Sequence, residues 1–184
     1  MPLAGSDQKS GASAKKALRT TEQKRADHAL KTIRKLRDLN QKQGSDSRKL
    51  PLYGNLRAYV ENLPTTIVMN GLGQAMATEL AAARMGEDDS STENRDLYGR
   101  IESLQSPAKG NRDSDERAHE LLYCIVQDWL QKSEVYSEDQ DLMEAIVRGD
   151  QKKYVRAQYE ALAYLEWLKK FSQAFLRKGG KDER

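Results

Sequence analysis

Two glycines near the middle of the chain have the spacing most suggestive of chemistry. Gly71 and Gly73, within "MNGLGQAMA" (69–77), follow the β-branched run "TTIVM". Glycines between a strand and a helix let backbone amides approach a phosphate, so the pair is compatible with a nucleotide-binding turn. The fingerprint is incomplete, because Met76 takes the third glycine position and no Lys-Ser or Lys-Thr pair follows. The alternative is a helix in which each glycine, at a cost of about 1 kcal/mol, permits close approach of a neighbouring backbone.

Few other residues have the chemistry for catalysis or metal binding. Cys124 is the only cysteine and lies in an apolar run, which is typical of a small buried side chain in a reducing compartment. His28 and His119 each lie on a predicted helix, and the five-residue spacing from His119 to Cys124 puts these two on different helix faces. One Cys and two scattered His do not make a zinc site. The sequence therefore predicts no catalytic residue, no metal and no cofactor.

The net charge of +3 hides a strong segregation along the chain. Residues 1–57 have a net charge of +9, residues 58–147 of −11, and residues 148–184 of +5. Such a distribution indicates basic ends that meet a polyanion and an acidic middle that meets a different partner. The alternative is that the ends neutralise the middle within one fold.

Hydrophobic periodicity predicts an all-α fold, a compact bundle of five to six helices. The predicted helices are 20–41, 52–63, 64–85, 114–132, 137–149 and 150–178. "TTIVM" is the one candidate strand, and it has no second strand to pair with, so packing is the favoured role of the glycine pair. Pro64 is expected to end one helix and start the next. The last helix is apolar on several sides, with Val155 and Tyr159 among the residues of its apolar stripes, and is predicted to be central to the bundle.

Capping residues mark several helix starts. Thr20 and Gln23 have the spacing of a capping box, while Ser114 and Ser137 are the expected caps of two later helices.

Composition divides the chain into one domain with tails. We expect a disordered N-terminal tail at 1–18, a single helical domain at 19–178 and a flexible C-terminal tail at 179–184. The segment 86–116 is predicted to be an acidic exposed connection, with a short helix at 91–104, that the fold does not require. No apolar run has membrane-spanning length and the N-terminus has no secretory pattern, so a cytoplasmic protein without membrane contact is expected.

Basic residues recur on one side of two predicted helices. In the first helix the lysines fall within about 40° of one another, opposite the packing stripe, and in the last helix the cations lie near its start. These residues are candidates for contact with a polyanion, and the alternative is an ordinary solvated helix face: Lys24, Lys31, Lys35, Lys42, Lys152, Lys153 and Arg156.

Three separated blocks resemble a known family. "TTEQKRADHALKTIRKL", "YVENLPTTIVMNGLGQAMA" and "LMEAIVRGDQKKYVRAQYEALAYLEWLKKFSQAFL" look like the small subunit of the type III-B (Cmr) CRISPR effector complex, in the same order along the chain. The connection at 86–116 is longer and more acidic than that family leads us to expect, and the N-terminal tail is extra.

The resemblance implies an all-α protein without catalytic activity of its own. Copies would stack head to tail along a ribonucleoprotein filament used in antiviral defense. The implied partners are copies of itself, the backbone and large signature subunits of the effector, and the guide and target RNA. Lysine rows suit this role, because phosphate contacts do not depend on sequence. With the resemblance, the seven basic residues named above are the predicted RNA-binding residues.

Two other classes of function remain open from the residues alone. One is a stand-alone helical adaptor that binds protein partners without RNA. The other is a nucleotide-using enzyme built on the glycine pair.

Overall fold

Helical segments account for nearly all of the described chain. A computed structural model describes residues 18–42, 51–84, 96–103 and 113–176, and within these ranges it contains helices and no strand. The helices are α1 (Thr21–Lys42), α2 (Pro51–Asn70), α3 (Leu72–Ala82), α4 (Leu97–Ser103), α5 (Ser114–Lys132), α6 (Leu142–Arg148) and α7 (Gln151–Phe175). The all-α class is confirmed, with seven helices in the described ranges where five to six were predicted.

The helix starts follow local capping chemistry. The predicted capping box of α1 is confirmed: the Thr20 amide donates to Gln23 Oε1 at 2.9 Å, and the Gln23 amide donates to Thr20 Oγ1 at 3.1 Å. The expected cap Ser114 is wrong by one residue, since the Asp113 carboxylate accepts from the amides of Asp115 and Glu116. A carboxylate there also complements the positive end of the helix dipole.

The helix predicted at 137–149 starts later than expected. Asp141, and not Ser137, caps α6 by accepting from the amides of Met143 and Glu144. The exposed residues before Asp141 supply no buried side chain that would extend the helix backwards.

Pro64 does not end a helix, contrary to the sequence expectation. It lies inside α2, where a proline removes a backbone hydrogen bond at a cost of about 3 kcal/mol. Leu63 and Ile67, on either side of it, are buried in the core. Tertiary burial therefore carries α2 through a residue that local rules identify as a breaker.

The break falls at Gly71, inside the segment predicted to be one helix at 64–85. Gly71 has φ of +83° and separates α2 from α3. A Cβ at this position would lie 2.8 Å from Tyr154 Oη. The backbone conformation favours glycine here, and a Cβ would also have to displace the Tyr154 hydroxyl.

One core joins the helices. The most extensive packing is of α7 against α1 and α2, and of α2 against α5, so the prediction that the last helix is central is confirmed. The largest fully buried side chains include Tyr123, Tyr164, Ile33, Leu36, Leu56, Ile67, Met76 and Ile101. None of the described helices is both long and apolar enough to cross a membrane.

The helix α4 lies inside the segment 86–116. The short helix predicted at 91–104 is confirmed over Leu97–Ser103. Leu97 and Ile101 are buried in the common core, and Arg100 donates to Glu120 of α5 at 2.7 Å. The prediction that the connection is exposed is therefore wrong for α4, while the expectation that the fold does not need it stays a prediction. The predicted tails, apart from Leu18, and residues 86–95 and 104–112 of the connection lie outside the described residues, and their assignment stays a prediction.

Candidate nucleic-acid interface

The first turns of α7 carry three cations that face solvent. Asp150 caps the helix by accepting from the Lys153 amide at 2.9 Å. The side chains of Lys152, Lys153 and Arg156 are exposed, and no described carboxylate forms an ion pair with them. Their charge is therefore available to an anion from outside the chain.

Glu160, one turn after Arg156, does not neutralise it. The two oxygens of Glu160 accept from Arg25 at 2.8 and 2.7 Å, and Oε1 also accepts from Trp129 Nε1 at 3.1 Å. The hydrogen bonds with Glu160 and Glu22 outweigh burial and raise the pKa of Arg25. Because Glu160 bonds inward, toward α1 and α5, it forms no ion pair with Arg156.

Apolar groups lie among these cations. Val155 is 59% exposed and Tyr159 is 70% exposed. They line a shallow depression of about 560 Å³ together with Gln151, Lys152 and Arg156. The sequence assigned Val155 and Tyr159 to apolar stripes of a central helix, and the structure corrects this: α7 is central, but these two side chains lie on its solvent side. We call this surface, formed by residues 151, 152, 155, 156 and 159, the α7 platform.

The lysine row of α1 has a different electrostatic environment. Lys31 Nζ lies 2.8 Å from Asp27 Oδ2, and Lys35 Nζ lies 2.5 Å from Glu102 Oε1 of α4. Lys24 is exposed and has no ion pair with any residue in the described ranges. The predicted Lys42 ends α1, but its side chain lies outside the described part of the structure. Two of the four predicted lysines are therefore already partly neutralised.

The two predicted basic sets point in different directions. Arg25 of α1 reaches Glu160 of α7, whereas Lys35 of α1 reaches Glu102 of α4. At 100° per residue Lys35 lies roughly 80° around α1 from Arg25. The α1 lysines thus lie around the helix from the side that contacts α7, and no described contact joins them to the α7 platform.

The glycine pair does not present free amides. The Leu72 amide donates to Gln158 Oε1 at 3.0 Å, and the Gly73 amide donates to Tyr154 Oη at 3.2 Å. These are the groups that a phosphate would need at the start of α3. The expectation of a packing role is confirmed in kind, but α7 side chains, rather than a neighbouring backbone, approach the glycines.

A partly buried polar cluster that the sequence analysis missed joins α1, α5 and α7. His28 Nε2 lies 2.7 Å from Asp128 Oδ2, and His28 Nδ1 lies 2.9 Å from Tyr164 Oη. Burial raises the pKa of Asp128, but hydrogen bonds from His28 and Lys132 outweigh burial and leave it lowered. Tyr164 is buried, which raises its pKa well above the usual value. The i,i+4 pair of Asp128 and Lys132 was the only sequence signal, so this cluster required the tertiary structure.

The second histidine also serves packing between helices. His119 Nδ1 lies 2.7 Å from Glu79 Oε2, and the Tyr59 ring stacks on the His119 ring with centroids 3.8 Å apart. Burial raises the pKa of Glu79 in spite of the His119 hydrogen bond. Burial likewise raises the pKa of the Cys124 thiol to about 12, which leaves it protonated and unreactive. No group of three His, Cys, Asp or Glu with metal-binding geometry occurs within the described ranges.

Comparison with known proteins agrees with this architecture. The family model of the CRISPR-associated protein Cas_Cmr5 matches residues 21–175, which span α1 to α7. The X-ray structure of a CRISPR-associated Cmr5 family protein from Thermus thermophilus aligns with a TM-score of 0.51 at 23% identity, covering 87% of this chain and 100% of that one. At this identity the structural match bears on the fold, while the family match covers most of the sequence. The chain belongs to the Cmr5 family, the small subunit of the type III-B (Cmr) CRISPR complex.

Proposed function

We propose that this small subunit is a non-catalytic RNA-contacting component of its effector. Copies stack head to tail along the filament, beside the backbone and large signature subunits, and contact the groove of the guide–target duplex in antiviral defense. The subunit works in the cytoplasm and needs no cofactor. The observation that carries the proposal is the set of α7 cations that form no ion pair with any described residue, in a chain whose family match spans α1 to α7.

Phosphate contact fits the chemistry of this surface. Lysine and arginine at a solvated helix face bind the RNA backbone without regard to sequence, which a groove that accepts any target requires. Lys152, Lys153 and Arg156 are the stronger candidates, because Lys31 and Lys35 already have carboxylate partners. Lys24 and Lys42 complete the α1 row in the proposal.

Charge segregation supports head-to-tail stacking. The acidic middle and the basic ends of the sequence let unlike surfaces of successive copies meet. A heterologous contact of this kind extends into an open row unless the rotation between copies closes it into a ring.

Gentle purification of the tagged chain from its own cells tests the proposal. Short RNAs that share a repeat-derived end, recovered together with larger CRISPR subunits, are the expected result. Recovery of the chain with protein partners but without RNA would overturn the RNA role and favour a stand-alone helical adaptor. A chain carrying Glu at positions 152, 153 and 156 is the matched sample, and it should bring down the subunits with less RNA.

A further inference from the structure

Tyr159 is a large aromatic residue that lies mostly exposed to solvent. The ring is 70% exposed at the surface of α7, and no described residue bonds its hydroxyl group. Burying an aromatic side chain is favourable, and Tyr at the surface usually finds at least partial cover. Tyr154, five residues earlier and on another side of the same helix, contacts the α2–α3 junction and is half-buried. The structure therefore uses one tyrosine for packing and leaves the other uncovered.

Helical spacing surrounds the Tyr159 ring with an apolar contact and a cation. Residues three and four apart on a helix are surface neighbours. Val155 precedes Tyr159 by four residues and Arg156 precedes it by three, while Lys152 stands four before Arg156. The shallow depression that these side chains line has a volume of about 560 Å³, within the range that holds small organic groups. The platform thus offers a flat apolar surface with positive charge along one side.

The placement of the cations is unfavourable for the helix itself. Lys152 and Lys153 lie in the first turn of α7, where the helix dipole is positive and cations are disfavoured. Lys152 and Arg156 are like charges at i,i+4, which also destabilises a helix. No described carboxylate forms an ion pair with them, because Asp150 accepts from the backbone amide of Lys153, and Glu160 bonds Arg25 and Trp129. An anionic ligand is the occupant whose charge would relieve this arrangement.

We propose that the α7 platform binds an unpaired RNA nucleotide, with the base stacked on Tyr159 against Val155 and the adjoining phosphates at Lys152 and Arg156. The inference rests on the proposed function and names the form of RNA that this surface takes. Stacking on an exposed aromatic ring beside cations is how proteins hold single strands, and it needs a base whose face is free. Within an A-form duplex the base faces are covered by their neighbours, so a duplex would use the cations and leave Tyr159 idle.

Titration by nuclear magnetic resonance separates the outcomes. The probes are a short single-stranded RNA of mixed sequence, the same strand with abasic sites, and its duplex, each added to the full chain at low salt. We expect upfield ring-current shifts of the Tyr159 ring protons with the intact strand and not with the abasic strand or the duplex. The backbone amides of Lys152 and Arg156 should shift with all three.

The binding affinities of Tyr159 variants test the same contact. Tyr159→Ala should weaken binding of the intact strand by roughly 5- to 100-fold and leave binding of the abasic strand unchanged, while Tyr159→Phe should keep the affinity. Met69→Ala is the matched control, because Met69 is 77% exposed on α2 and lies outside the platform.

Three results overturn the inference, and they differ in what they leave standing. Equal binding of intact and abasic strands would remove the stacking and retain phosphate contact, so the proposed function would survive. Shifts of Tyr159 that follow protein concentration and not RNA would assign the platform to a second copy of the chain. No shift at residues 152–159 with any strand would remove both the stacking and the RNA role of this face.

Discussion

At the scale of single residues, side chains that form hydrogen bonds between helices are easily mistaken for reactive groups. The two histidines and the lone cysteine all serve packing. His28 bonds Asp128 and Tyr164, and His119 bonds Glu79. Burial raises the pKa of Cys124, which keeps its thiol protonated. Because a carboxylate only accepts hydrogen bonds, His28 must carry a proton on Nε2 when it bonds Asp128. These contacts join α1, α5 and α7 on one side, and α3 and α5 on the other.

The lowered pKa of Asp128 predicts a pH-dependent contribution to stability. A carboxyl group with a depressed folded-state pKa stabilises the fold above its unfolded value, about 3.9, and loses that contribution as the pH falls through the folded value. Asp128→Asn should cost about 1–3 kcal/mol near neutral pH, and this cost should shrink below about pH 4. Urea unfolding of both proteins across this range measures it. Asp139→Asn, at an exposed position, is the control, and a cost that stays constant with pH would contradict the assignment.

Gly71 predicts a stability effect of backbone origin. With φ of +83° and ψ of 159°, Gly71→Ala would place an L-residue in a region used almost only by glycine, at a cost of about 1–3 kcal/mol. The new Cβ would also meet Tyr154 Oη. Gly73→Ala should cost less, because Gly73 is helical and its Cβ would lie 3.3 Å from Ile146 Cγ2. Thermal unfolding compares the two, and equal losses would show that crowding, and not the backbone, decides.

At the scale of helices, burial decides where local rules disagree. Pro64 predicts a helix end, yet α2 continues through it because Leu63 and Ile67 are buried on both sides. Gly71 was treated as part of a helix because apolar residues continue past it, yet its backbone separates α2 from α3. Composition cannot decide which of Pro64 and Gly71 ends the helix, because the outcome depends on how α5 and α7 pack against each position.

The helix α4 carries the sharpest prediction at this scale. Ile101 is 1% exposed although it lies in a segment rich in Asp, Glu, Ser and Gly. Ile101→Ala should destabilise the chain by about 2–5 kcal/mol, as deletion of a buried side chain does. Glu102→Ala, on the same helix with an exposed side chain, should change stability by less than about 1 kcal/mol. Chemical denaturation tests the pair, and an Ile101→Ala protein as stable as its parent would return α4 to a dispensable connection.

At the scale of the whole molecule, the sequence predicted the class of fold and its approximate helices, and it resembled the family that the comparison identified. Period-3.6 apolar patterns survive in the sequence whatever packs against them, so α1, α5 and α7 were predicted nearly in full. Exposure within α7 was not predictable, because Val155 and Tyr159 have the spacing of core residues. The ion pair of Lys35 was likewise hidden, because its partner is on α4, far away in sequence, whereas Asp27 and Lys31 have the i,i+4 spacing that the sequence shows.

The difference between the two basic sets predicts unequal effects on RNA binding. Lys152→Glu, Lys153→Glu and Arg156→Glu combined should weaken binding more than the same changes at Lys24, Lys31 and Lys35. Each lost phosphate contact should also flatten the slope of log K against log salt by about 0.7–0.9. Binding of target RNA to the reconstituted effector at several salt concentrations measures both quantities.

Arg148→Glu is the control for a change of charge alone, because Arg148 is an exposed cation on α6 that pairs with Glu144. Equal losses from the two basic sets would contradict the ranking. An effect of Arg148→Glu as large as one-third of the α7 set would point to a general field and not to local contacts.

On α7, side chains that bond α3 alternate with side chains that face solvent, and this predicts how substitutions along the helix will differ in effect. Tyr154 and Gln158 bond the start of α3, whereas Val155 and Tyr159, each one residue later, face solvent. A saturation scan across 151–160 should therefore alternate between two phenotypes within single steps of the sequence. Substitutions at 154 and 158 should lower the yield of folded protein, and substitutions at 155 and 159 should leave the yield intact and impair only defence in the cell. Adjacent codons would thus be under different selection: that at 154 and 158 would preserve folding, and that at 155 and 159 would preserve ligand binding.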